Sequence, residues 1–162
     1  MIAVPCPINK PPMKISLGSD HAGFEYKQAI ADMLRAQGHE VIDCGTHSAD
    51  STDYPLWCIP AAEKVAKGEA DKGIVFGGSG NGEAIAANKV KGIRCAIAWS
   101  DDTARLGSEH NNANVLSIGE RMVSLETAKR LVSIWLSTPF QGGRHLKRLE
   151  ELAKYEAGLP MQ

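Results

Sequence analysis

Apolar residues along the chain follow two alternating patterns, short continuous runs and longer stretches with a helical period. The short runs predict five buried strands, over residues 14–19, 39–44, 72–77, 94–99 and 114–119. Between the first two runs, Tyr26, Ile30, Met33 and Leu34 recur at helical spacing and predict a helix over residues 24–37. Gly38 stands where a left-handed residue would end this helix.

Five more helices are predicted from the same periodicity, over residues 55–67, 83–89, 102–108, 125–135 and 144–155. Asp53 is expected to cap the helix that starts at Pro55, and Pro60 to kink that helix or delay its start. The last helix carries an apolar face formed by Leu146, Leu149, Leu152 and Ala153.

Strands that alternate with helices in this way favour parallel pairing through right-handed βαβ units. We therefore expect a three-layer α/β/α, Rossmann-like fold with a five-stranded parallel sheet. Ligands of such folds bind beyond the carboxyl ends of the strands. The candidate site segments are those that follow a strand, residues 19–21, 45–53, 77–83, 100–102 and 119–121.

The chain divides into a short arm and a longer folded part. Four of the eight prolines lie in residues 1–12. Because proline lacks a backbone donor and blocks helix formation, this arm is predicted to be extended or disordered. The whole chain of 162 residues suits one domain with short appendages. We expect residues 13–162 to form that single domain.

Charge and cysteine content narrow the function classes. The 18 basic and 19 acidic residues give a net charge of −1, which argues against broad binding to nucleic acid or to anionic membranes. No apolar run reaches the ~18–20 residues of a membrane span. The four cysteines have no zinc-ligand spacing, and no secretory signal precedes them. We expect a cytoplasmic protein with reduced thiols.

The sequence GGSGNG over residues 77–82 has four glycines in six positions. Such a loop can turn tightly and present N–H groups to an anion at a helix start, although it matches neither the dinucleotide nor the Walker pattern. A tight turn without a ligand is an equally good interpretation. Glu83, which closes the loop, is either an acid favoured by the helix dipole or a general base.

Polar residues near the predicted strand ends allow two interpretations. Asp20 and His21 follow the first strand, either as a helix cap and a surface histidine or as groups that exchange protons with a ligand. The same alternatives apply to His110 and Asn111, which precede the fifth strand.

The last predicted helix begins with an unusual density of positive charge. Arg144, Lys147 and Arg148 occupy its first turns, where the helix dipole disfavours cations. Arg144 and Arg148 are four residues apart and face the same way, as a clamp for phosphate or carboxylate would require. A solvated basic face paired with Glu150 or Glu151 is the alternative.

Taken together, these segments resemble ribose-5-phosphate isomerase type B, a branch of the ribose/galactose isomerase family. The matching stretches run in the family's order from about Lys14 to Arg148. They are GSDHAGFEYK, VIDCGTHSADSTDYP, GIVFGGSGNGEAIAANKVKGIRCAIAW, SEHNNANVLSIGERM and GGRHLKR.

The resemblance implies interconversion of ribose 5-phosphate and ribulose 5-phosphate in the pentose phosphate pathway, with no metal and no organic cofactor. It also implies a homodimer or homotetramer with shared active sites. Asp20 and His21 are expected at the sugar, with His110 as the acid for ring opening and Asp20 nearby. The remaining implied ligands are the anion hole of Gly78, Ser79, Gly80, Asn81 and Gly82, the substrate contact Asn111, and the phosphate ligands Arg121, Arg144 and Arg148.

One departure concerns the base. Many members of the family carry a cysteine base where this chain has Gly77, and the chain resembles the subgroup that uses a carboxylate from the same loop. Glu83 is therefore expected to move a proton from C2 to C1 through an enediolate. Two alternatives are a related isomerase of a tetrose or hexose phosphate, and a nucleotide-binding module. Asp101 lies at the ~20-residue spacing of a ribose-binding acid, but that module leaves His110 and Arg144 without a role.

Overall fold

The computed structural model describes residues 11–162, in which helices and strands alternate from one end to the other. The strands are β1 (Lys14–Ser19), β2 (Glu40–Asp43), β3 (Lys72–Gly77), β4 (Cys95–Ile97) and β5 (Val115–Gly119). The helices are α1 (Phe24–Ala36), α2 (Pro55–Ala66), α3 (Asn81–Asn88), α4 (Asp101–Glu109), α5 (Leu125–Ser137) and α6 (Arg144–Glu156).

The five strands form one parallel sheet in the order β2-β1-β3-β5-β4. Because every pair is parallel, all the carboxyl ends lie along one edge of the sheet, called here the carboxyl edge, and all the amino ends lie along the opposite, amino edge. The predicted α/β/α fold with a five-stranded parallel sheet is confirmed. β1, β3 and β5 lie in the interior of the sheet, and their ends form the middle of the carboxyl edge.

Alternate residues of the central strands fill two separate hydrophobic layers. Ile74 and Phe76 of β3 pack on one face together with α1, α4 and α5. Val75 points to the other face, where Cys58, Ala61 and Ala62 of α2 meet Ala86 and Ala87 of α3. Both faces of the sheet are therefore covered, as parallel sheets require.

Helix α6 belongs to neither layer. His145 is its only buried residue, while Leu146 and Leu152 are 48% and 58% exposed. A groove of about 590 Å³ separates the helix from the amino edge near β4, with Leu149, Leu152 and Tyr155 on the helix side. The predicted apolar face of α6 is present, and no other element among residues 11–162 covers it.

Several predicted boundaries were wrong. The N-cap of α2 is Tyr54 rather than Asp53, and no side chain caps that end. The same helix begins at Pro55 and runs through Pro60, so Pro60 does not delay its start. Helix α3 begins at Asn81, two residues earlier than predicted, because Gly80 adopts a left-handed conformation at φ 84° and forms the N-cap. The prediction for Gly38 is confirmed by its φ of 89° directly after the C-cap.

The predicted arm lies mostly outside the described residues. Pro11 and Pro12 are exposed and belong to no helix or strand, and residues 1–10 are not described. Within residues 11–162, none of the helices has the length and apolar character needed to cross a membrane.

Candidate active site

The glycine-rich loop between β3 and α3 lies at the carboxyl edge and is held from the neighbouring strand β5. Ser117 donates its hydroxyl to the carbonyl oxygen of Gly80 at 2.7 Å. The backbone N–H groups of Glu120 and Arg121 donate to the carbonyl oxygens of Gly77 and Gly78 at 2.8 and 3.0 Å. With its carbonyls fixed from behind, the loop has little freedom to change conformation.

The side chain of Glu83 folds back over the end of β3. A Cβ placed on Gly77 would overlap Oε1 and Cδ of Glu83 and would lie 2.7 Å from its Cγ, so a side chain at position 77 would occupy the same space. The carboxylate can keep this position only while residue 77 has no side chain. The departure noticed in the sequence, a missing cysteine at position 77, therefore has a direct steric counterpart in Glu83.

The electrostatic surroundings of Glu83 favour its neutral form. The residue is 4% exposed, and its Oε2 has no hydrogen-bond partner among the described residues. Burial raises the pKa of this carboxyl and the negative charge of Asp20 adds to the rise, whereas the N–H groups of Glu83 and Gly80 oppose it. A carboxylate with a raised pKa beside a glycine-rich loop at a helix start has the properties of a general base.

Asp20 and His21 lie directly after β1, next to the loop. The carboxylate of Asp20 is buried and accepts a hydrogen bond from Gly23 N–H at 3.0 Å, which fixes the turn into α1. The Nδ1 atom of His21 accepts the N–H of Thr52 at 3.1 Å. The indole of Trp57 donates to the hydroxyl of the same Thr52 at 2.9 Å, so His21 is held by the segment that follows β2.

A buried ion pair supports this side of the site. Lys27 is fully buried and its Nζ lies 2.6 Å from Oδ1 of Asp43. The same carboxylate accepts the N–H of Gly45 at 2.9 Å, and the Gly45 carbonyl accepts the N–H of Ser19 at 2.8 Å. The backbone that presents Asp20 is thus anchored to a charge pair in the interior.

Two more side chains contact the glycine-rich loop. Arg121 lies against Gly78, where an added Cβ would be 3.2 Å from Nη1. The ring of Tyr54 lies against Gly82, where an added Cβ would be 2.7 Å from Cζ. Tyr54 was not singled out from the sequence, because nothing in its spacing places it beside a loop 28 residues away. We call one group of residues the carboxyl-edge cluster: Asp20, His21, Arg121 and residues 77–83.

His110 and Asn111 lie at the opposite edge of the sheet. Helix α4 starts after the carboxyl end of β4 and returns antiparallel to the strands, so its C-cap, His110, reaches the amino edge. The backbone carbonyl of Asn111 accepts from Nε of Arg94, the residue directly before β4, at 3.1 Å. This contact fixes the position of the loop beside the amino end of that strand.

The basic start of α6 lies beside His110. The backbone N–H of Gln141 donates to the carbonyl of Glu109 at 2.9 Å, and the ring of His145 stacks on His110 with centroids 4.2 Å apart and planes 15° apart. Burial lowers the pKa of His145, and the positive charges of His110, Arg144 and Arg148 lower it further against the opposing effect of Glu109. The amino-edge cluster consists of His110, Asn111, Arg144, His145 and Arg148.

Within one chain the two clusters are separated by the length of strand β5, five residues or about 16 Å. The structure brings Glu83 together with Asp20 and Arg121. It does not bring His110 next to Asp20, as the sequence had suggested, and it separates Arg121 from Arg144. The predicted site residues are therefore all present, in two groups that one chain alone does not join.

Thiol and metal chemistry find little support in the described residues. Cys44, Cys58 and Cys95 are free, and burial raises the pKa of each thiol, for Cys95 to about 12. Thiols of this kind stay protonated and are poor nucleophiles. Among residues 11–162, no group of three or more histidine, cysteine or acidic side chains has an arrangement that could hold a metal ion.

Comparisons with known proteins agree with the motifs and the fold. The family described as Ribose/Galactose Isomerase matches residues 15–152. A ribose-5-phosphate isomerase B of Mycolicibacterium paratuberculosis is 51% identical over 146 residues, covering 89% of this chain and 92% of that protein. The solved ribose-5-phosphate isomerase B of Clostridium thermocellum matches with a TM-score of 0.89 at 49% identity, covering 90% of this chain and 99% of that one.

A second solved structure carries a ligand. It is the ribose-5-phosphate isomerase B of Mycoplasma genitalium with bound ribulose 5-phosphate, which matches with a TM-score of 0.86 at 38% identity and covers 89% of this chain and 96% of that one. The family match spans most of the chain, and the relatives are similar over almost their whole length. The chain belongs to the ribose/galactose isomerase family, as its motifs predicted.

Proposed function

We propose that this protein is an aldose–ketose isomerase that interconverts ribose 5-phosphate and ribulose 5-phosphate, with Glu83 as its base. The observation that carries the proposal is the buried carboxylate of Glu83 lying in the space above Gly77, beside an anion-binding loop. The names of the similar proteins and the ribulose 5-phosphate bound to one of them support the same substrate pair.

The reaction needs one base and a means of stabilising negative charge. Glu83 takes the proton from C2 of the open-chain aldose, which leaves an enediolate, and returns it to C1. The hydroxyl proton passes from O2 to O1 in the same interval, which gives the ketose. The backbone N–H groups of the loop from Gly78 to Gly82 and the N-terminus of α3 bind the oxyanion as it forms. Because burial raises the pKa of Glu83, the carboxyl releases the transferred proton less readily than a solvated acid and holds it between the two steps.

The other predicted residues bind the sugar and prepare it. Ribose 5-phosphate is mostly a closed ring, so an acid must first open it, and His110 is assigned this step. Asp20, His21 and Asn111 contact the sugar hydroxyl groups. The phosphate is held by Arg121, Arg144 and Arg148, whose guanidinium groups form paired hydrogen bonds to such an anion.

The separation of the two clusters supports a homodimer with shared active sites, or a homotetramer built from such dimers. A gap of about 16 Å is longer than a five-carbon sugar phosphate, so both clusters act on one substrate only if two chains supply them. The uncovered face of α6 and the exposed Ile85 and Trp99, each 61% exposed, provide apolar surface for such contact. In this arrangement one chain contributes Glu83 and its partner contributes His110.

The proposed reaction uses only protein side chains and backbone, with no metal and no organic cofactor. The proposed location is the cytoplasm, where the free thiols of Cys44, Cys58 and Cys95 remain reduced.

The activity is tested with the purified protein and a panel of phosphorylated sugars in the presence of EDTA. We expect interconversion of ribose 5-phosphate and ribulose 5-phosphate, and much lower rates with tetrose phosphates and with allose or galactose 6-phosphate. A protein that turns over a hexose phosphate faster than ribose 5-phosphate would refute the substrate assignment. A protein that converts no sugar phosphate but is stabilised by NAD would instead support the nucleotide-binding alternative.

The sharing of sites is tested by complementation between two inactive variants, Glu83→Gln and His110→Ala, produced together with different affinity tags. In a mixed dimer with shared sites, one site combines the intact carboxyl edge of one chain with the intact amino edge of the other. Random pairing should then restore about a quarter of the wild-type activity.

A matched control pairs Glu83→Gln with Asp20→Asn, two changes in the same cluster. No site of that mixed dimer is intact, and activity should not return. Absence of recovery in the first mixture, once mixed dimers are isolated through both tags, would show that each site is built from a single chain.

A further inference from the structure

His145 is unlike the residues around it at the start of α6. It is 7% exposed, whereas every other residue of that helix is exposed or only partly buried. Its Nε2 is buried and has no hydrogen-bond partner among the described residues. An imidazole buried in the first turn of a helix that packs in neither hydrophobic layer requires a separate explanation.

The ring of His145 stacks in parallel on the ring of His110. The ring centroids are 4.2 Å apart and the planes differ by 15°, so one face of each imidazole is covered by the other. The backbones that carry the two rings are tied together as well. Ser108 donates its hydroxyl to the carbonyl of Thr138, and Gln141 N–H donates to the carbonyl of Glu109.

The charges around the pair disfavour a proton on His145. From α6, Arg144 and Arg148 place positive charge beside His145, and the positive end of the helix dipole adds to it. From α4, Glu109 presents its carboxylate 3.7 Å from Nε2 of His110. Positive charge on both stacked rings would be repulsive, which further disfavours a proton on His145.

We propose that His145 is a positioning residue for His110. Its ring holds the imidazole of His110 flat against the start of α6, with Nε2 of His110 beside the carboxylate of Glu109. The proposal rests on the proposed function, in which His110 opens the sugar ring. His145 itself transfers no proton.

The physical reason is orientation. The side chain of His110 is one-third exposed and is held by no hydrogen bond among the described residues, so without the stack its ring can rotate about its side-chain torsions. A general acid must point at the oxygen it protonates, and a displacement of about 1 Å can cost a hundredfold in rate. The stack therefore fixes the orientation of the His110 ring, which the contact with Glu109 alone does not.

The experiment compares His145→Ala, which removes the stacking surface, with His145→Phe, which keeps a flat ring without nitrogen atoms. For ribose 5-phosphate we expect kcat to fall about 10- to 100-fold in His145→Ala and to recover largely in His145→Phe, with KM changed less than about threefold. Exchange of the C1 proton of ribulose 5-phosphate with solvent, followed by NMR, needs no ring opening and should stay near the wild-type rate in both variants. Lys147→Ala is the matched control, in the first turns of α6 and with a side chain 82% exposed, and should change neither reaction.

A double-mutant cycle separates positioning from independent roles. If His145 acts through His110, His145→Ala should cause no further loss of ribose 5-phosphate turnover in a His110→Ala background. An equal loss in both backgrounds would overturn the proposal. A large rise in KM would instead make His145 a phosphate ligand. A lower melting temperature with no recovery in His145→Phe would assign it a purely structural role.

Failure of the proposed function gives a different result. In that case the wild-type protein does not isomerise ribose 5-phosphate, or His110→Ala leaves its turnover unchanged.

Discussion

The carboxyl-edge and amino-edge clusters are built in contrasting ways. Glu83 and Asp20 are 4% and 8% exposed, and the loop between β3 and α3 is fixed by hydrogen bonds from β5. Arg144 and Arg148 are exposed, on a helix whose only buried residue is His145. The first cluster is complete when the chain folds, whereas the second presents its charged groups on a surface.

In the proposed function, this difference follows from the physical requirements of the two tasks, proton transfer by Glu83 and phosphate binding by Arg144 and Arg148. A base gains a raised pKa from burial, and the interior of a single chain can provide that burial. Two arginine side chains buried without an anion would carry a large desolvation cost, so they remain hydrated until a phosphate binds. In the proposed function, a site divided in this way is rigid at the reacting carbons, and a second chain and the substrate complete it.

The largest expected effect is at the buried cluster. Glu83→Gln keeps the shape of the side chain and removes the base, so kcat for ribose 5-phosphate should fall by about 10²–10⁴ or more. Alkylation of the wild-type protein with iodoacetamide is the control, and it should leave activity largely intact because the described thiols are protonated. Loss of activity on alkylation, together with an active Glu83→Gln variant, would move the base to a cysteine.

A smaller effect is expected at the exposed cluster. Arg144→Ala and Arg148→Ala each remove one charge-assisted contact to the phosphate, which is worth ~1.5–3 kcal/mol or roughly a 10–150-fold rise in KM. Steady-state kinetics should show this rise, and inorganic phosphate should lose its inhibition in both variants. Lys147→Ala, in the same turns of the helix but outside the clamp, is the control. Unchanged KM and unchanged phosphate inhibition would mean that the basic start of α6 is a solvated surface only.

The smallest expected effect is on the melting temperature of Glu83→Gln, and it tests the difference in burial between the two clusters. The pKa of Glu83 is raised in the folded protein. The contribution of its carboxyl group to the free energy of unfolding is therefore fully present below the unfolded pKa of about 4.3, and it is lost as the pH rises through the pKa of the folded protein. Glu83→Gln should therefore melt at a higher temperature than the wild type at pH 7–8. The difference should shrink as the pH is lowered toward 4.

Arg144→Ala is the comparison for this measurement, because its exposed side chain should give no such pH-dependent gain. If Glu83→Gln is less stable than the wild type at pH 8, the surroundings of Glu83 stabilise its charged carboxylate, contrary to this prediction.

The sequence predicted the fold more completely than the site. All five strands and six helices were placed within a few residues, because buried parallel strands read as continuous apolar runs and the helices as amphipathic stretches. The strand order, with β5 between β3 and β4, is set by long-range packing that local patterns do not record. The sequence also did not reveal that α6 packs in neither hydrophobic layer. An apolar helix face has the same sequence pattern whether it packs against its own chain or against another chain.

For the candidate site, the sequence singled out individual residues but did not show how they lie relative to one another. Glu83 was found from its position after the glycines, but its overlap with the space above Gly77 is a contact across a turn. His145 lies in the quoted GGRHLKR motif, and its stack on His110 joins residues 35 positions apart. A histidine in a basic run gives no signal of such a contact.

The space above Gly77 also limits which base this chain can carry there. A cysteine at position 77 and the glutamate at 83 would fill the same volume, so the side chain of Glu83 would have to leave its present position. A Gly77→Cys substitution therefore does more than add a thiol to the site, because it displaces the carboxylate as well. Combining it with a smaller residue at position 83 leaves the volume to the thiol alone.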